Sequence, residues 1–289
     1  MTAHKTVLIT GSTDGIGLEA AKVLASLGCR VLLHGRNRAK LEAARQELEG
    51  LAQGAPSPGS SREISSYVAD LSRLAEVQAL AEKVAAEHPQ LDVLINNAGV
   101  YGAGDPRTED GLDIRFAVNT FAPYLLTRRL APNLGRSGRV INLSSAAQAP
   151  VNLEALMGDA ALSDGAAYAQ SKLALTMWSR SLALSLGESG PVVVAVNPGS
   201  LLGTKMVRDA YGIPGGDVGI GAEILRRAAL DADFAAAGGQ YFDNDSGRFA
   251  SPHADALDAS LGADLVRRIE AKLAELGLPV GSRGQTSAL

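Results

Sequence analysis

Short runs of Val, Ile and Leu alternate along this chain with longer stretches whose apolar residues recur three and four apart. That alternation leaves few folds open. Candidate strands are Thr6–Thr10, Arg30–His34, Ile64–Ala69, Leu91–Ile95, Arg139–Leu143, Val192–Val196 and the weaker Gln240–Phe242. Leu74, Val77, Leu80, Ala81 and Val84 show the helical spacing between them. Strands without polar alternation are buried on both faces, as in a parallel sheet covered by helices on either side. The expected fold is α/β, a doubly wound parallel sheet of about seven strands with right-handed crossovers.

Length alone leaves one or two domains open, since the chain has 289 residues. The strand–helix alternation continues past the flexible segment Gln53–Arg62, so that segment reads as a surface loop and not a linker. One domain is expected over residues 1–280, followed by a polar, disordered tail, Gly281–Leu289. There are 27 Lys plus Arg against 31 Asp plus Glu, a formal charge of −4, and aromatics make up 4%. Neither the basic surplus nor the stacking platforms of a nucleic-acid binder are present. The lone Cys29 excludes an internal disulfide and a cysteine metal cluster. No apolar run approaches the ~18 residues of a membrane span, and the N-terminus lacks a cleavage pattern. A cytoplasmic protein is expected.

The first strand runs into Thr10-Gly11-Ser12-Thr13-Asp14-Gly15-Ile16-Gly17 and then a helix. Glycines there permit a tight turn and close approach of backbone to a ligand. The helix start offers unpaired N–H groups and a positive dipole end, which suit a pyrophosphate. The last glycine lets helix and strand pack closely, as in a Rossmann-type dinucleotide site.

Five further motifs follow in order: Asn96-Asn97-Ala98-Gly99 after the fourth strand, Asn119 within Phe116–Thr120, Ser144-Ser145 after the fifth strand, Tyr168-Ala169-Gln170-Ser171-Lys172 on a helix, and Asn197-Pro198-Gly199 after the sixth strand. With the Gly-x-x-x-Gly-x-Gly spacing, this set resembles the single-domain short-chain dehydrogenase/reductase family over residues 6 to about 206. The resemblance implies a cofactor site at Gly11, Ser12, Thr13, Gly15, Ile16, Gly17, Asp70, Leu71, Asn97, Ala98, Gly99, Tyr168, Lys172, Pro198, Gly199, Leu201 and Thr204. Asp70 is similar to the family residue that holds the adenine amino group; a helix cap is its other reading. Thr204 lies five residues after Gly199, where the family commonly has four.

The second strand ends His34-Gly35-Arg36, with no acid for the adenosine ribose hydroxyls. Gly35 stands where relatives using the unphosphorylated cofactor carry Asp. Arg36 can pair with a 2′-phosphate instead, so NADP(H) is expected over NAD(H). Asp14 departs from this reading, because many NADP-binding relatives are basic there.

Tyr168 and Lys172 share a helix face. Ketone reduction needs a proton at oxygen, and a free tyrosine, with a pKa near ~10, exchanges one poorly at neutral pH. A nearby ammonium and an oxidised nicotinamide favour the phenolate. The resemblance implies Tyr168 as general acid/base, Lys172 lowering its pKa and binding the nicotinamide ribose, Ser145 bonding the substrate oxygen, and Asn119 holding a water beside Lys172. Such a protein is an NADP(H)-dependent oxidoreductase acting on a ketone, aldehyde or secondary alcohol. The alternatives are a non-catalytic NADP(H)-binding sensor or scaffold, which has no need of Ser145, Tyr168 and Lys172 together, and an epimerase or dehydratase of the longer branch, whose glycine spacing differs.

Ser145 and Tyr168 are separated by about twice the usual spacing, and Thr108-Glu109-Asp110-Gly111 precedes Asn119. Both features resemble the retinol-dehydrogenase-like reductases. The extra segment, about 148–164, carries Val151, Leu153, Leu156 and Met157, and with Leu201, Leu202, Met206 and Val207 it reads either as a hydrophobic substrate wall or as ordinary core. Residues 148–164 and 200–222 are the expected substrate loops, with Asp209–Ile220 a mobile lid. Met177 and Trp178 read as packing or a subunit contact, and the resemblance implies a homodimer or homotetramer. Asp243–Gly247 resembles a calcium loop but has its glycine at position five and Ala254 at position twelve, so a turn is expected. His4, His34, His88 and His253 show no metal spacing, and there is no Gly-x-Ser-x-Gly elbow.

Overall fold

Thr6–Ile9, Arg30–Gly35, Ile64–Val68, Val93–Asn96, Arg139–Leu143, Val192–Asn197 and Tyr241–Asp243 (β1 to β7) are parallel neighbours in a computed structural model, and the short Arg248–Ala250 (β8) closes the edge antiparallel. The structure describes residues 5–52 and 63–280, so the segment Gln53–Arg62, the tail Gly281–Leu289 and His4 lie outside the described residues. The strand order is β3-β2-β1-β4-β5-β6-β7-β8. This is the doubly wound fold expected, with one strand more. β8 escapes a sequence reading because three residues, none fully buried, leave no apolar run.

The described helices are Gly15–Ser26, Arg38–Ala52, Leu74–Glu87, Ile114–Phe116, Ala122–Leu134, Leu153–Met157, Asp164–Leu186, Lys205–Tyr211, Val218–Leu230, Ala254–Leu257 and Ala259–Glu275 (α1 to α11). Residues Ala117–Phe121 form a widened π turn between α4 and α5. Alternation along β1 divides the core. Val7 and Ile9 pack with α1, α2 and α9 on one face, and Leu8 packs with α3, α5, α7 and α11 on the other. Trp178 is fully buried and meets Tyr124 edge-on at 5.3 Å, so it is packing within the chain. Over that layer α11 lays Leu265, Ile269 and Leu273, and its Glu270 accepts a 2.6 Å hydrogen bond from the Tyr124 hydroxyl. Cys29 is buried, and desolvation pushes its thiol up to about 11, consistent with a packing role. No helix among the described residues is long and apolar enough to cross a membrane.

The extra segment before α7 settles as core. Asn152 caps α6, Ala155 and Leu156 are buried, and Val151 and Leu153 lean on the same cluster. Gly158 ends the helix at φ +91°, and a Cβ there would lie 2.2 Å from the Gly111 carbonyl oxygen. The Thr108–Gly111 turn is thereby clamped beneath α6, while its Asp110 caps α3 by accepting from the Leu74 N–H at 2.9 Å. Gly158→Ala should lower the unfolding free energy in urea by at least ~1 kcal/mol, because it adds left-handed strain to a backbone collision. Gly50→Ala, at an exposed position of α2 with nothing within 4 Å of the added carbon, should instead stabilise by up to about 1 kcal/mol.

Candidate active site

Strand order reverses between β1 and β4, and in open α/β sheets ligands bind beyond the carboxyl ends of the strands at such a point. The two turns leaving these strands are bonded together. Asn97 donates its side-chain amide to the carbonyls of Thr10 (2.9 Å) and Gly11 (3.0 Å), and the Thr10 hydroxyl accepts from the N–H groups of Asn97 and Ala98 at 3.1 Å. Gly11 has φ +65°, and a Cβ there would sit 2.9 Å from Ala98 Cα, which accounts for the glycine. Gly17 is equally obligatory, since a Cβ would meet the Gly11 carbonyl oxygen at 2.4 Å.

Above these turns lies one continuous cleft of about 590 Å³. Of the residues expected at the cofactor, Gly11, Thr13, Gly15, Ile16, Gly17, Arg36, Asp70, Leu71, Asn97, Ala98, Gly99, Tyr168, Lys172, Pro198, Gly199, Leu201 and Thr204 all line it, as does Ser145. Ser12 and Asn119 do not. Ser12 is fully buried, donating its hydroxyl to the His34 carbonyl at 3.3 Å and accepting from the His34 N–H at 2.9 Å. Asn119 sits in the π turn, where its amide donates to the Val100 carbonyl and the Ser171 hydroxyl, both at 3.0 Å, and accepts from the Val100 N–H at 2.9 Å. It lies behind the cleft wall, beside Lys172 across Gly99: a Cβ on Gly99 would be 3.5 Å from both side chains.

At one end of the cleft Arg36 is exposed and has no ion-pair partner among the described residues. A side chain at Gly35 would collide with Thr13, whose methyl lies 2.5 Å from the position of its Cβ. An acid at 35 is thus excluded while Thr13 stays in place. Asp14, the departure from the NADP pattern, caps α1 by accepting from the Gly15 N–H at 2.8 Å. Asp70 accepts from the Ser72 N–H and hydroxyl at 2.9 and 2.8 Å, so it closes a turn and leaves the capping of α3 to Asp110. His34 has a part that sequence reading missed. Its Nδ1 accepts from the Gly11 N–H at 3.2 Å and its Nε2 lies 3.1 Å from the Ala69 carbonyl, so one ring joins the glycine turn to the β3–α3 turn. Burial pushes its pKa down to about 4, which keeps the ring neutral.

At the other end are Ser145, Tyr168 and Lys172. Both of the paired serines line the cleft: Ser144 is buried, its hydroxyl 2.7 Å from that of Thr176, and Ser145 is near enough to Tyr168 to oppose the rise of its pKa. The Lys172 ammonium lies 5.7 Å from the centre of the Tyr168 ring and donates to the Leu143 carbonyl at 2.7 Å. Burial pulls its pKa down to about 8. The Tyr168 hydroxyl is pushed up, mainly by burial, with Ser145 opposing. In the protein by itself Tyr168 is therefore a protonated phenol. The lysine's lowering effect on it, expected from sequence, is not among the causes.

Two more groups carry no sequence signal. Asn197 donates to Asp243 (2.8 Å) and Asp245 (2.9 Å), and Asp245 accepts from the Ser200 N–H and hydroxyl at 2.8 and 2.6 Å. The β7–β8 turn that resembled a calcium loop is thus a clamp on the Pro198-Gly199-Ser200 bend. The Arg115 guanidinium is fully buried and joins Asp113 at 2.6 Å to Asp164, at the start of α7, at 2.7 Å. Leu201, Leu202, Met206 and Val207 line the cleft, whereas no residue of 148–164 does. The apolar side chains of that segment are drawn into the core instead.

Residues 5–212 match the family described as short chain dehydrogenase. The chain belongs to that family. Among similar members, Retinol dehydrogenase 14 of Homo sapiens is 37% identical over 205 residues, and Retinol dehydrogenase 12 of Bos taurus is 37% identical over 211. Those matches take in 68% and 72% of this chain but only 61% and 64% of the relatives' own lengths. Among solved structures, a protein from Mycobacterium paratuberculosis superposes with a TM-score of 0.77 at 26% identity, over 97% of this chain and 96% of that one. A metagenomic short-chain oxidoreductase in complex with NADP is 32% identical, with a TM-score of 0.60, over 80% and 93% of the two chains. The likeness to retinol dehydrogenases bears out the branch suggested by the long Ser145–Tyr168 spacing in this short chain dehydrogenase.

Lys172 gives the site a pH signature. Its folded pKa of about 8 lies below the model-compound 10.5, so the unfolded chain binds the extra proton between those values. Stability contributed by this group therefore rises as pH climbs from 8 to 10.5. Lys172→Met lacks that rise. The difference in unfolding free energy between the two proteins should move by on the order of 3 kcal/mol in favour of wild type across the interval; parallel stability–pH curves would contradict the burial argument.

Proposed function

We propose that the protein is an NADP(H)-dependent oxidoreductase that interconverts a ketone or aldehyde with the corresponding alcohol. The observation that carries this reading is the layout of a single cleft. Ser145, Tyr168 and Lys172 lie at one end, and Arg36, with no ion-pair partner among the described residues, lies at the other, past a glycine turn at a helix start. Relatives solved in complex with NADP, among them a short chain dehydrogenase from Burkholderia cenocepacia at 27% identity, support the choice of cofactor.

The residues present fit a phosphorylated dinucleotide. Arg36 would pair with the 2′-phosphate through charge-assisted hydrogen bonds, and Gly35 leaves no room for an acid that would repel it. The N–H groups of Ile16 and Gly17, which have no acceptor among the described residues, would meet the pyrophosphate. When bound, the nicotinamide would supply or take up the hydride. The chain's own groups handle the oxygen. Ser145 donates a hydrogen bond to the substrate carbonyl, and Tyr168, held protonated by burial, passes its proton to that oxygen during reduction and takes one from the alcohol in the reverse direction. Lys172 places a fixed ammonium 5.7 Å from the centre of the phenol ring; it does not lower the phenol's pKa in the protein by itself, and with the nicotinamide bound it would stabilise the phenolate that remains after transfer.

Tyr168→Phe should keep the fold and NADPH affinity and lose at least ~100-fold in kcat; turnover close to wild type would rule out Tyr168 as the proton donor. Arg36→Leu should raise the Michaelis constant for NADPH by about tenfold or more and leave that for NADH nearly unchanged, as expected for loss of a charge-assisted contact of ~1.5–3 kcal/mol. Steady-state kinetics with both cofactors decide it, and equal effects on the two would remove the 2′-phosphate argument.

A further inference from the structure

Three irregular stretches wall the reacting end of the cleft, and each is held differently. The Pro198–Ser200 bend is clamped by Asp245. The α8 segment is closed at its base by hydrogen bonds from the Gly203 N–H to the Gly216 carbonyl (2.7 Å) and from the Gly216 N–H to the Leu201 carbonyl (2.8 Å). The stretch 145–148, which follows β5, has neither device. The Ser144 N–H donates to the Val196 carbonyl at 2.8 Å, and the Ala149 N–H donates to the Ala169 carbonyl at 3.3 Å. Between them the chain makes no backbone–backbone hydrogen bond among the described residues. Ala146 and Ala147 are exposed, so no core holds them either.

Side chains fix Ser145 instead. Its Oγ accepts from the Ala147 N–H at 3.1 Å, a side-chain turn that leaves the hydroxyl hydrogen free for an acceptor in the cleft. Its carbonyl accepts twice, from Gln148 Nε2 at 2.9 Å and from the Tyr241 hydroxyl at 3.1 Å. Both lone pairs of that oxygen are used, so turning the peptide plane after Ser145 breaks at least one bond. Neither donor is a loose arm. Tyr241 is buried on β7, opposite Ala195 of β6, and burial pushes its pKa up, which keeps the hydroxyl a donor. The Gln148 amide is anchored at its other atom, Oε1, which accepts from the His253 N–H at 3.3 Å, and His253 caps α10. Tyr241 is 96 residues from Ser145 and lies outside the stretch 5–212 that matches the family.

We infer that Tyr241 and Gln148 are positioning residues for the reaction: by gripping the Ser145 carbonyl they aim the Ser145 hydroxyl at the oxygen of the substrate. This rests on the oxidoreductase reading above. A donor displaced by about 1 Å loses most where charge develops on the oxygen, in the transition state. The loss therefore falls on kcat, and cofactor affinity is spared.

The first test is a double-mutant cycle in NADPH-dependent reduction of 2,3-butanedione. Tyr241→Phe keeps the ring and removes the donor, and Gln148→Met keeps the length and removes the amide. Each should lower kcat about tenfold with Ser145 present and less than about twofold in Ser145→Ala, with the NADPH Michaelis constant unchanged throughout. A merely structural lesion costs the same in both backgrounds, and equal costs overturn the inference. The second test needs no turnover. Ser145→Cys introduces a thiol that titrates through its rate of alkylation by iodoacetamide, because the native Cys29 is buried and its thiol is pushed up to about 11. The Ala147 N–H favours the thiolate, so loosening the turn with Tyr241→Phe or Gln148→Met should move the alkylation profile up by about one pH unit. Tyr124→Phe, which deletes a buried hydroxyl bonded to Glu270 of α11, should leave it in place. A profile that neither variant moves, or that Tyr124→Phe moves equally, overturns the inference and leaves the oxidoreductase reading standing. If wild type reduces no ketone or aldehyde, that reading fails. In that case, or where Ser145→Ala is too slow to measure, the alkylation profile alone decides whether Tyr241 and Gln148 hold the turn.

Discussion

Burial of the Lys172 ammonium is the constraint on which the reacting end of the molecule depends. An uncompensated charge in such surroundings is costly, and the one acceptor for it among the described residues is the Leu143 carbonyl at the end of β5. That bond holds only if α7 lies at one height along the sheet. The height is maintained by other polar contacts: Ser144 with Thr176, Asn142 donating to Ser179 at 2.8 Å, and Thr120 donating to the Ser171 carbonyl at 3.0 Å. Each lies among apolar neighbours, where an unmade hydrogen bond is expensive. The small polar side chains along α7 therefore act as a register for the lysine, and Tyr168, one turn earlier, inherits its position.

The opposite wall of the cleft is built by glycines and amides. Gly11 and Gly17 sit where backbone or side chain of a neighbouring turn comes too close for a larger residue. Asn97 ties the β1 and β4 turns, His34 ties the β1 and β3 turns, and Asp245 ties the β6 bend to the last hairpin. These loops emerge from five parallel strands and meet through side chains that bond to backbone. A loop held in this way is rigid without having a core of its own.

Much of this was legible in the residues. Seven strands follow from apolar runs, because a strand covered on both faces leaves no other pattern. The motif order locates both ends of the cleft, and both of the paired serines line it. Other features are set by distance in space and not by local sequence. The apolar side chains of residues 148–164 have the composition of a pocket wall, but α11, about a hundred residues later, supplies the layer that buries them. The π turn around Asn119 has no compositional marker. Tyr241 and Gln148 stand in separate stretches of the chain, and only the fold shows that both reach the Ser145 carbonyl. Asp245 belongs to a segment that looks like a metal loop until Asn197 and Ser200 are seen to occupy its carboxylate.

The hydrogen-bonded base of the α8 segment has a consequence for how this protein can diversify. Residues 204–214 leave and return through adjacent backbone at Gly203 and Gly216, and the helix between buries nothing. Closing a loop at its neck makes its length nearly irrelevant to the rest of the chain, since the entropy of a flexible loop grows only slowly with size. The segment is an exchangeable part. Insertions, deletions or wholesale replacement there would alter which molecules are admitted while the strands, the lysine's register and the Arg36 end of the cleft stay as they are. The mouth of the cleft and the register of the lysine are written in separate stretches of one gene product, and they can change at different rates.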